Sequence, residues 1–502
     1  MLRKIRILLS LVMLVGVTLL FLDFTGALHA WLGWMAQVQL LPAVLALNVG
    51  VIVVLAAVTL LVGRVYCSVV CPLGVLQDVF AWIGKRLRPR ARRRAPYSYS
   101  PALTWLRYIV LALFVVALVA GLGSVAALVA PYSAYGRIAT HLLQPLWLWC
   151  NNALAAVAER YGSYAFYERE VWLRSLPTLV VAVVTLVVVA ALAMRSGRTW
   201  CNTICPVGTV LGQLARVSLF KVRIDEAKCV GCRRCEHQCK AACIDLKTRR
   251  IDHTRCVDCF DCLDVCAQDA IALRLRPAKA ERQAATSASE AASGPSRRAF
   301  LTAAAGVAAT AALEAQEKTV DGGLAVILDR KAPHRATPIT PPGSVSARHM
   351  AQHCTACQLC VAECPNGVLR PSSEWGTMMQ PQMGYERGHC RPECNRCGLV
   401  CPTGAIRPLA VEVKASTKVG RAVWVRANCV PLTDGVSCGN CARHCPTGAI
   451  TMVPVDKDDK RSPQIPVVND ERCIGCGACE HLCPARPFAA IYVEGVEVQR
   501  EL

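Results

Sequence analysis

The 502-residue chain is poor in the signatures of substrate chemistry. It contains no Cys-x-x-Cys-His to attach a haem and no glycine-rich nucleotide or flavin motif, so any bond making or breaking belongs to a partner. Its four longest apolar runs hold no ionisable residue, which argues against a subunit that carries ions across a membrane. Acidic residues are few: 35 Asp and Glu face 56 Lys and Arg, a net charge of +21. Such an excess suggests nucleic acid, but Lys85 to Arg94 (KRLRPRARRR) places much of it beside a hydrophobic segment. Membrane topology explains it there, and no nucleic-acid partner is expected. What the chain does have is a 54% hydrophobic composition and 30 cysteines. Their density is below the ~8–10% of a small disulfide scaffold, and their spacings are those of metal ligands. A chain of this length and character needs several modules.

The apolar runs cover roughly Ile7–Leu22, Ala43–Val62, Ile109–Ala130 and Leu176–Met194, each near the ~20 residues that cross ~30 Å of hydrocarbon. An α-helical membrane domain of four transmembrane helices is therefore predicted. Arg3, Lys4 and Arg6 precede the first run, residues 23–42 hold no Lys or Arg, and the basic cluster follows the second run. The positive-inside rule puts the N-terminus and the basic loop in the cytoplasm and the loop after the third run outside. The first run lacks a clear small-residue cleavage site, so a removable signal peptide is not expected.

This half contains a repeat: Gly63-Arg64-Val65-Tyr66-Cys67-x3-Cys71-Pro72-Leu73-Gly74 matches Gly197-Arg198-Thr199-Trp200-Cys201-x3-Cys205-Pro206-Val207-Gly208. Each copy follows an even-numbered helix, so both land on one membrane surface, and paired hairpins bring such ends together. Cys67, Cys71, Cys201 and Cys205 are thus candidates for one shared cluster or metal, with redox thiols or plain packing cysteines as the alternatives. Cys150, alone in the outer loop, reads as an ordinary residue. Asn48, His141 and Gln144 are polar groups near a possible quinone slot, but a satisfied core amide and a surface histidine are the preferred readings.

After the fourth helix come Cys229-x2-Cys232-x2-Cys235-x3-Cys239 and Cys256-x2-Cys259-x2-Cys262-x3-Cys266. In a two-cluster ferredoxin, three closely spaced thiolates hold one cubane cluster and the fourth ligand comes from the other run. That assigns Cys229, Cys232, Cys235 and Cys266 to one cluster, and Cys256, Cys259, Cys262 and Cys239 to the other, with Cys243 as the alternative to Cys239. Zinc is disfavoured, because its sites use separated pairs. Four further runs follow: Cys354, Cys357, Cys360 and Cys364; Cys390, Cys394, Cys397 and Cys401; Cys429, Cys438, Cys441 and Cys445; Cys473, Cys476, Cys479 and Cys483. They imply four more cubanes, about six [4Fe-4S] clusters in all, in α+β ferredoxin-like modules. Spacing leaves the exchange of fourth ligands within this region open.

Helices followed twice by Cys-x3-Cys-Pro, then by a two-cluster ferredoxin, resemble the NapH-type membrane ferredoxins, related to the polyferredoxin part of the nitrous oxide reductase regulators. The four-run region resembles the NapG-type ferredoxin, through Arg335, Pro341-Pro342-Gly343, the long gap from Cys429 to Cys438, and the close Cys473-Ile-Gly-Cys-Gly-Ala-Cys-Glu-His-Leu-Cys483. The resemblance implies a fusion of the two and a function: passing electrons from the membrane quinone pool toward a periplasmic reductase or cytochrome. On this reading the chain is an electron carrier, at most a quinol dehydrogenase component, in a bacterial inner membrane. A maturation or reactivation factor for a metalloenzyme, or a subunit of an ion-translocating redox complex, are the rival readings.

The expected modules are residues 1–220 (membrane domain), 221–275 (two-cluster ferredoxin), 276–347 (linker) and 348–502 (four-cluster ferredoxin). The linker is rich in Ala, Ser and charge. It includes Ser296-Arg297-Arg298-Ala299-Phe300-Leu301 and a mild apolar stretch to Leu313, the pattern of a twin-arginine signal. That pathway moves folded proteins, which suits a domain whose folding depends on clusters inserted in the cytoplasm. The two-cluster module is expected in the cytoplasm and the four-cluster module in the periplasm; the alternative keeps both in the cytoplasm.

Overall fold

A computed structural model of the chain describes residues 1–89, 97–275, 330–456, 458–459 and 462–502, with the short segments 319–320 and 325–326. The twin-arginine-like segment, 296–313, and the end of the basic cluster lie outside the described residues.

Two of the four apolar runs form helices long and apolar enough to cross a membrane, Leu2–Leu22 and Leu176–Ser196. The other two are broken, which corrects the expectation of four spanning helices. In the second run the chain forms Leu40–Leu45, turns through Leu47 at φ 52°, and restarts as Val49–Val62. Asn48 caps the new helix, its Oδ1 accepting the Val51 N–H at 3.2 Å, so its amide is satisfied locally. In the third run Thr104–Val119 stops before the left-handed Gly121, and Gly123–Val129 follows. Hydropathy registered the apolar content of both runs but not these polar and glycine interruptions. Leu8, Leu11, Val53, Val116 and Val187 on these helices are exposed on the outer surface of the bundle.

The two repeat copies fold alike. Val49–Val62 and Leu176–Ser196 end on Gly63 and Gly197, both left-handed. A five-residue helix carries the first cysteine (Val65–Val69, Thr199–Thr203), and the second caps the next helix, where proline occupies the first turn (Pro72–Leu87, Pro206–Ala215). Helix Pro72–Leu87 packs against Leu176–Ser196, so the two halves interleave.

The two-cluster module is a strand, a cysteine loop, a short hairpin, a second cysteine loop and a return strand. Phe220–Ile224 pairs antiparallel with Ile271–Leu275, bracketing the hairpin Ile244–Asp245 with Arg250–Ile251. The last two cysteine runs repeat this plan: Thr417–Trp424 pairs with Ile491–Glu501, around the hairpin Ile450–Pro454 with Gln464–Val468. The Cys354 and Cys390 runs have only the hairpin Leu369–Pro371 with Pro381–Met383 between them. Residues 330–347, grouped with the linker on composition, pack into this module. Arg335 donates to Glu480 and to the Val493 carbonyl, and Ile339 is buried.

The two modules sit at opposite ends of the Leu2–Leu22 helix. At its start, Arg3 pairs with Asp261 and Asp264 of the two-cluster module. Just beyond its end, the Phe24 carbonyl accepts from Arg396 of the four-cluster module at 3.4 Å. His141 is not a surface histidine: it is buried and bonded to Gln358 at 2.6 Å, while Gln144 donates to the Ala362 carbonyl at 3.1 Å. Both residues hold the first run of the four-cluster module against the helices.

Candidate iron-sulfur centres

Four of the ferredoxin cysteine loops share one backbone device. The residues on either side of the second cysteine are left-handed: Gly231 and Arg233, Asp258 and Phe260, Ala356 and Gln358, Gly475 and Gly477, with φ between 48° and 77°. Such alternation turns successive N–H groups toward a common centre and forms a concavity that receives an anionic group, iron–sulfur clusters among them. A short helix carrying the third cysteine follows in each, for example Arg234–Gln238, and the fourth cysteine leaves at or just beyond its end. The fourth thiol is thereby carried away from its own loop.

It goes to the neighbouring run. Cys229, Cys232, Cys235 and Cys266 line one cavity of ≈ 200 Å³. Cys429, Cys438, Cys441 and Cys483 line another. In the other sets the thiols act on one another's charge: Cys262 with Cys256, Cys259 and Cys239; Cys354 with Cys357 and Cys401; Cys397 with Cys390, Cys394 and Cys364; Cys476 with Cys473 and Cys445. Runs therefore pair first with second, third with fourth and fifth with sixth, each exchanging its last cysteine.

The residues fit iron–sulfur clusters. Amide N–H groups point at sulfurs that would be ligands, Ala270 to Cys266 and Ala449 to Cys445 at 3.3 and 3.2 Å, and Ala490 to Cys483 at 3.2 Å. Among the described residues no three His, Cys, Asp or Glu are grouped to hold a single metal ion. Cys239 and Cys243 lie with sulfurs 3.5 Å apart. Their shared hydrogen bond holds the Cys239 thiol down to about 7 and pushes Cys243 up, so Cys239 is the readier thiolate.

The sets also follow one another in space. Cys235 acts on Cys262, linking the first two; Cys360 feels Cys397; the Cys390 N–H donates to the Cys476 carbonyl at 2.9 Å; Cys479 feels Cys441. The Cys67, Cys71, Cys201 and Cys205 side chains also come together and are all buried. Burial pushes the Cys71 thiol up, and the nearby Cys201 and Cys67 add to it. Cys150 is exposed on the helix Gln144–Arg160. Sequence reasoning passed over Arg64 and Arg198, although both copies of the repeat carry the arginine at the same place.

Residues 44–90 and 176–225, one per repeat copy, match the family model of a 4Fe-4S binding domain. Models of 4Fe-4S dicluster domains match 336–429 and 436–486, and another matches 252–368, across the linker. The methylamine utilization ferredoxin-type protein MauM of Methylobacillus flagellatus is 32% identical over 169 residues, covering 32% of this chain and 70% of that protein. The putative electron transport protein YccM of Escherichia coli is 24% identical over 227 residues, 44% of this chain and 55% of its own. The ferredoxin-type protein NapH of Haemophilus influenzae is 29% identical over 204 residues, 40% of this chain and 56% of its own. No solved structure matches. The chain belongs to the ferredoxin-type protein family of MauM and is a NapH-type polyferredoxin, an iron–sulfur carrier of electrons.

Proposed function

We propose that this protein is a transmembrane electron conduit, taking electrons from quinol and delivering them to a periplasmic reductase or cytochrome. The observation that carries the reading is the placement of the two ferredoxin modules at opposite ends of a 21-residue apolar helix, about 30 Å long. A carrier working on one side of a membrane has no use for cysteine sets at both ends.

The 24 cysteines of the six ferredoxin runs hold six [4Fe-4S] clusters in the exchanged sets given above. When bound, such clusters supply one-electron transfer at potentials set by ligand, charge and hydrogen bonding. The chain's own residues orient the thiolates through left-handed turns and aim N–H groups at sulfur. The module boundaries are 1–220, 221–275, 276–329 and 330–502, with 330–347 joining the four-cluster part, a NapH-type and a NapG-type part in one polypeptide. Arg297-Arg298 directs export of the second part, leaving the first ferredoxin in the cytoplasm.

Anaerobic purification with iron and sulfide counts, followed by addition of a quinol analogue, tests the reading. About 24 or more irons per chain and bleaching of the cluster absorbance by quinol are expected. Eight or fewer irons, or clusters that quinol leaves oxidised, would overturn it.

A further inference from the structure

We propose that Cys67, Cys71, Cys201 and Cys205 form a seventh site, one iron–sulfur cluster shared by the two repeat copies and placed between the two-cluster and four-cluster modules. The inference deepens the conduit reading and rests on it for its purpose, but its geometry stands alone.

The four thiols are 2–3% exposed and come from two copies that are cross-braced. Arg198 Nη1 donates to the Cys67 carbonyl at 2.5 Å, and Arg64 Nη2 donates to the Cys201 carbonyl at 3.3 Å. Gly74 and Gly208 make room for this: a Cβ on either would stand 2.3 Å from the same carbonyl of its own copy's first cysteine. Donors also reach the sulfurs. Gln77 Nε2 is 3.1 Å from Cys201 Sγ, the Gly208 N–H is 3.3 Å from Cys205 Sγ, and Arg64 Nη2 is 3.8 Å from Cys67 Sγ. Donors of this kind suit ligand sulfurs; the Gly208 bond is also the N-cap of the Pro206–Ala215 helix, so the Gln77 and Arg64 contacts carry the argument.

Charge gives the second, independent argument. Arg64 is fully buried, and its guanidinium bonds only to Asn202, the Thr254 and Cys201 carbonyls and Cys67 Sγ, with Nε left unpartnered. Among the described residues no carboxylate bonds its guanidinium, but the buried Asp258, which accepts the Arg64 main-chain N–H at 2.8 Å, feels its charge. A buried cation without an anion is costly. Four thiolates around an oxidised four-iron cubane would carry two net negative charges, which Arg64 faces from one copy while Arg198, from the other, is already paired with Asp78. Four neutral thiols would leave Asp258, bonded to the Arg64 main chain and not to its guanidinium, as the counter-charge among the described residues.

Position completes the case. On one side the Arg64 N–H donates to Asp258 Oδ2 and the Arg198 N–H to the Lys240 carbonyl, both at 2.8 Å, next to Cys256, Cys259 and Cys239. On the other, buried Tyr66 lies in the field of Cys71, Cys67 and Cys205, and buried Tyr132 in that of Cys357, Cys401 and Tyr66. The site thus fills the one interval between the two modules, and an electron accepted there leaves again with no bond made or broken.

The test is an iron and acid-labile sulfide count on the full-length chain, purified anaerobically. The wild type is expected to hold about 28 of each, four per cubane. Cys67→Ala and Cys201→Ala should each lose about four, and the double variant no more than either single. Cys150→Ala should lose none. A wild-type count of about 24 would remove the seventh site and leave the six-cluster conduit intact, and it needs no variant to fold. Additive losses in the double variant would mean two separate sites. A disulfide mapped between any two of the four cysteines in the anaerobic wild type would mean redox thiols instead.

Discussion

Arg198 grips Asp78 with one hydrogen bond, Nε to Oδ1 at 2.9 Å, and an ion-pair contact, Nη2 to Oδ2 at 2.8 Å, across the boundary between the repeat copies. Arg6 of the first helix and Lys240 of the two-cluster module reach the same carboxylate at 2.7 and 3.6 Å. One largely buried anion, 11% exposed, thus joins the first helix, both copies and a ferredoxin loop. Removing one partner from a buried pair costs about 3–5 kcal/mol because the other charge stays behind. Asp78→Asn should lower thermal stability in detergent by that order, read by the loss of cluster absorbance on heating.

The same group sets a pH dependence. Burial alone would push the Asp78 carboxyl up, but the charges of Arg198, Lys240 and Arg6 outweigh it and hold the group well below its ordinary 3.8. A carboxyl depressed in the folded state contributes stability that is full above the unfolded value and is lost as pH falls below it. Unfolding midpoints should therefore drop as pH falls below about 4. In Asp78→Asn that part of the acid slope should be missing; an unchanged slope would place the effect elsewhere.

Exchange of fourth cysteines makes an ordered set of outcomes. Cys357→Ser and Cys401→Ser, far apart in sequence, should abolish the same paramagnetic signal and about four irons each. The double variant should lose no more. Cys364→Ser should instead match Cys397→Ser. Loss of different signals from Cys357→Ser and Cys401→Ser would refute the pairing.

Gly136 supports the docking of the four-cluster module, since a Cβ there would stand 2.3 Å from the Cys357 carbonyl. Overpacking of this kind costs about 1–3 kcal/mol. Gly136→Ala should make the module easier to release by limited proteolysis within the linker while its own clusters persist. Equal release rates would show that the contact carries little of the docking.

How much of this was open to sequence reading follows from the kind of signal. Cysteines at intervals of three announce themselves, because the short loop needs each thiol at a fixed step around a centre. The doubled Gly-Arg-x-Tyr/Trp-Cys-x3-Cys-Pro was legible too, but the reason for its arginines was not. Arg64 and Arg198 act across copies, and a contact 137 residues apart leaves no local trace. Fourth-ligand exchange in the C-terminal region was hidden for the same reason. Asn48 read as a core amide and Gly121 passed unremarked, because the surrounding hydropathy outweighed the cap and the stop they form. His141 looked like a loop histidine because the surface that buries it is supplied by Gln358, over 200 residues later.

Replacing Arg297 and Arg298 by lysine should strand the four-cluster module in the cytoplasm, since twin-arginine recognition depends on the guanidinium pair and not on charge alone. Protease added to spheroplasts should cut this module in the wild type and spare it in the variant, with the first helix inserted as before. Equal protection in both would keep the module in the cytoplasm.

The most direct test of a conduit is electron movement across a sealed bilayer. In proteoliposomes with the chain in one orientation, a membrane-impermeant reductant outside is offered to one module and an impermeant acceptor is enclosed with the other. The account predicts reduction of the enclosed acceptor, abolished in Cys67→Ala while a same-side acceptor is still reduced. Reduction confined to the side of the added reductant in the wild type would contradict it.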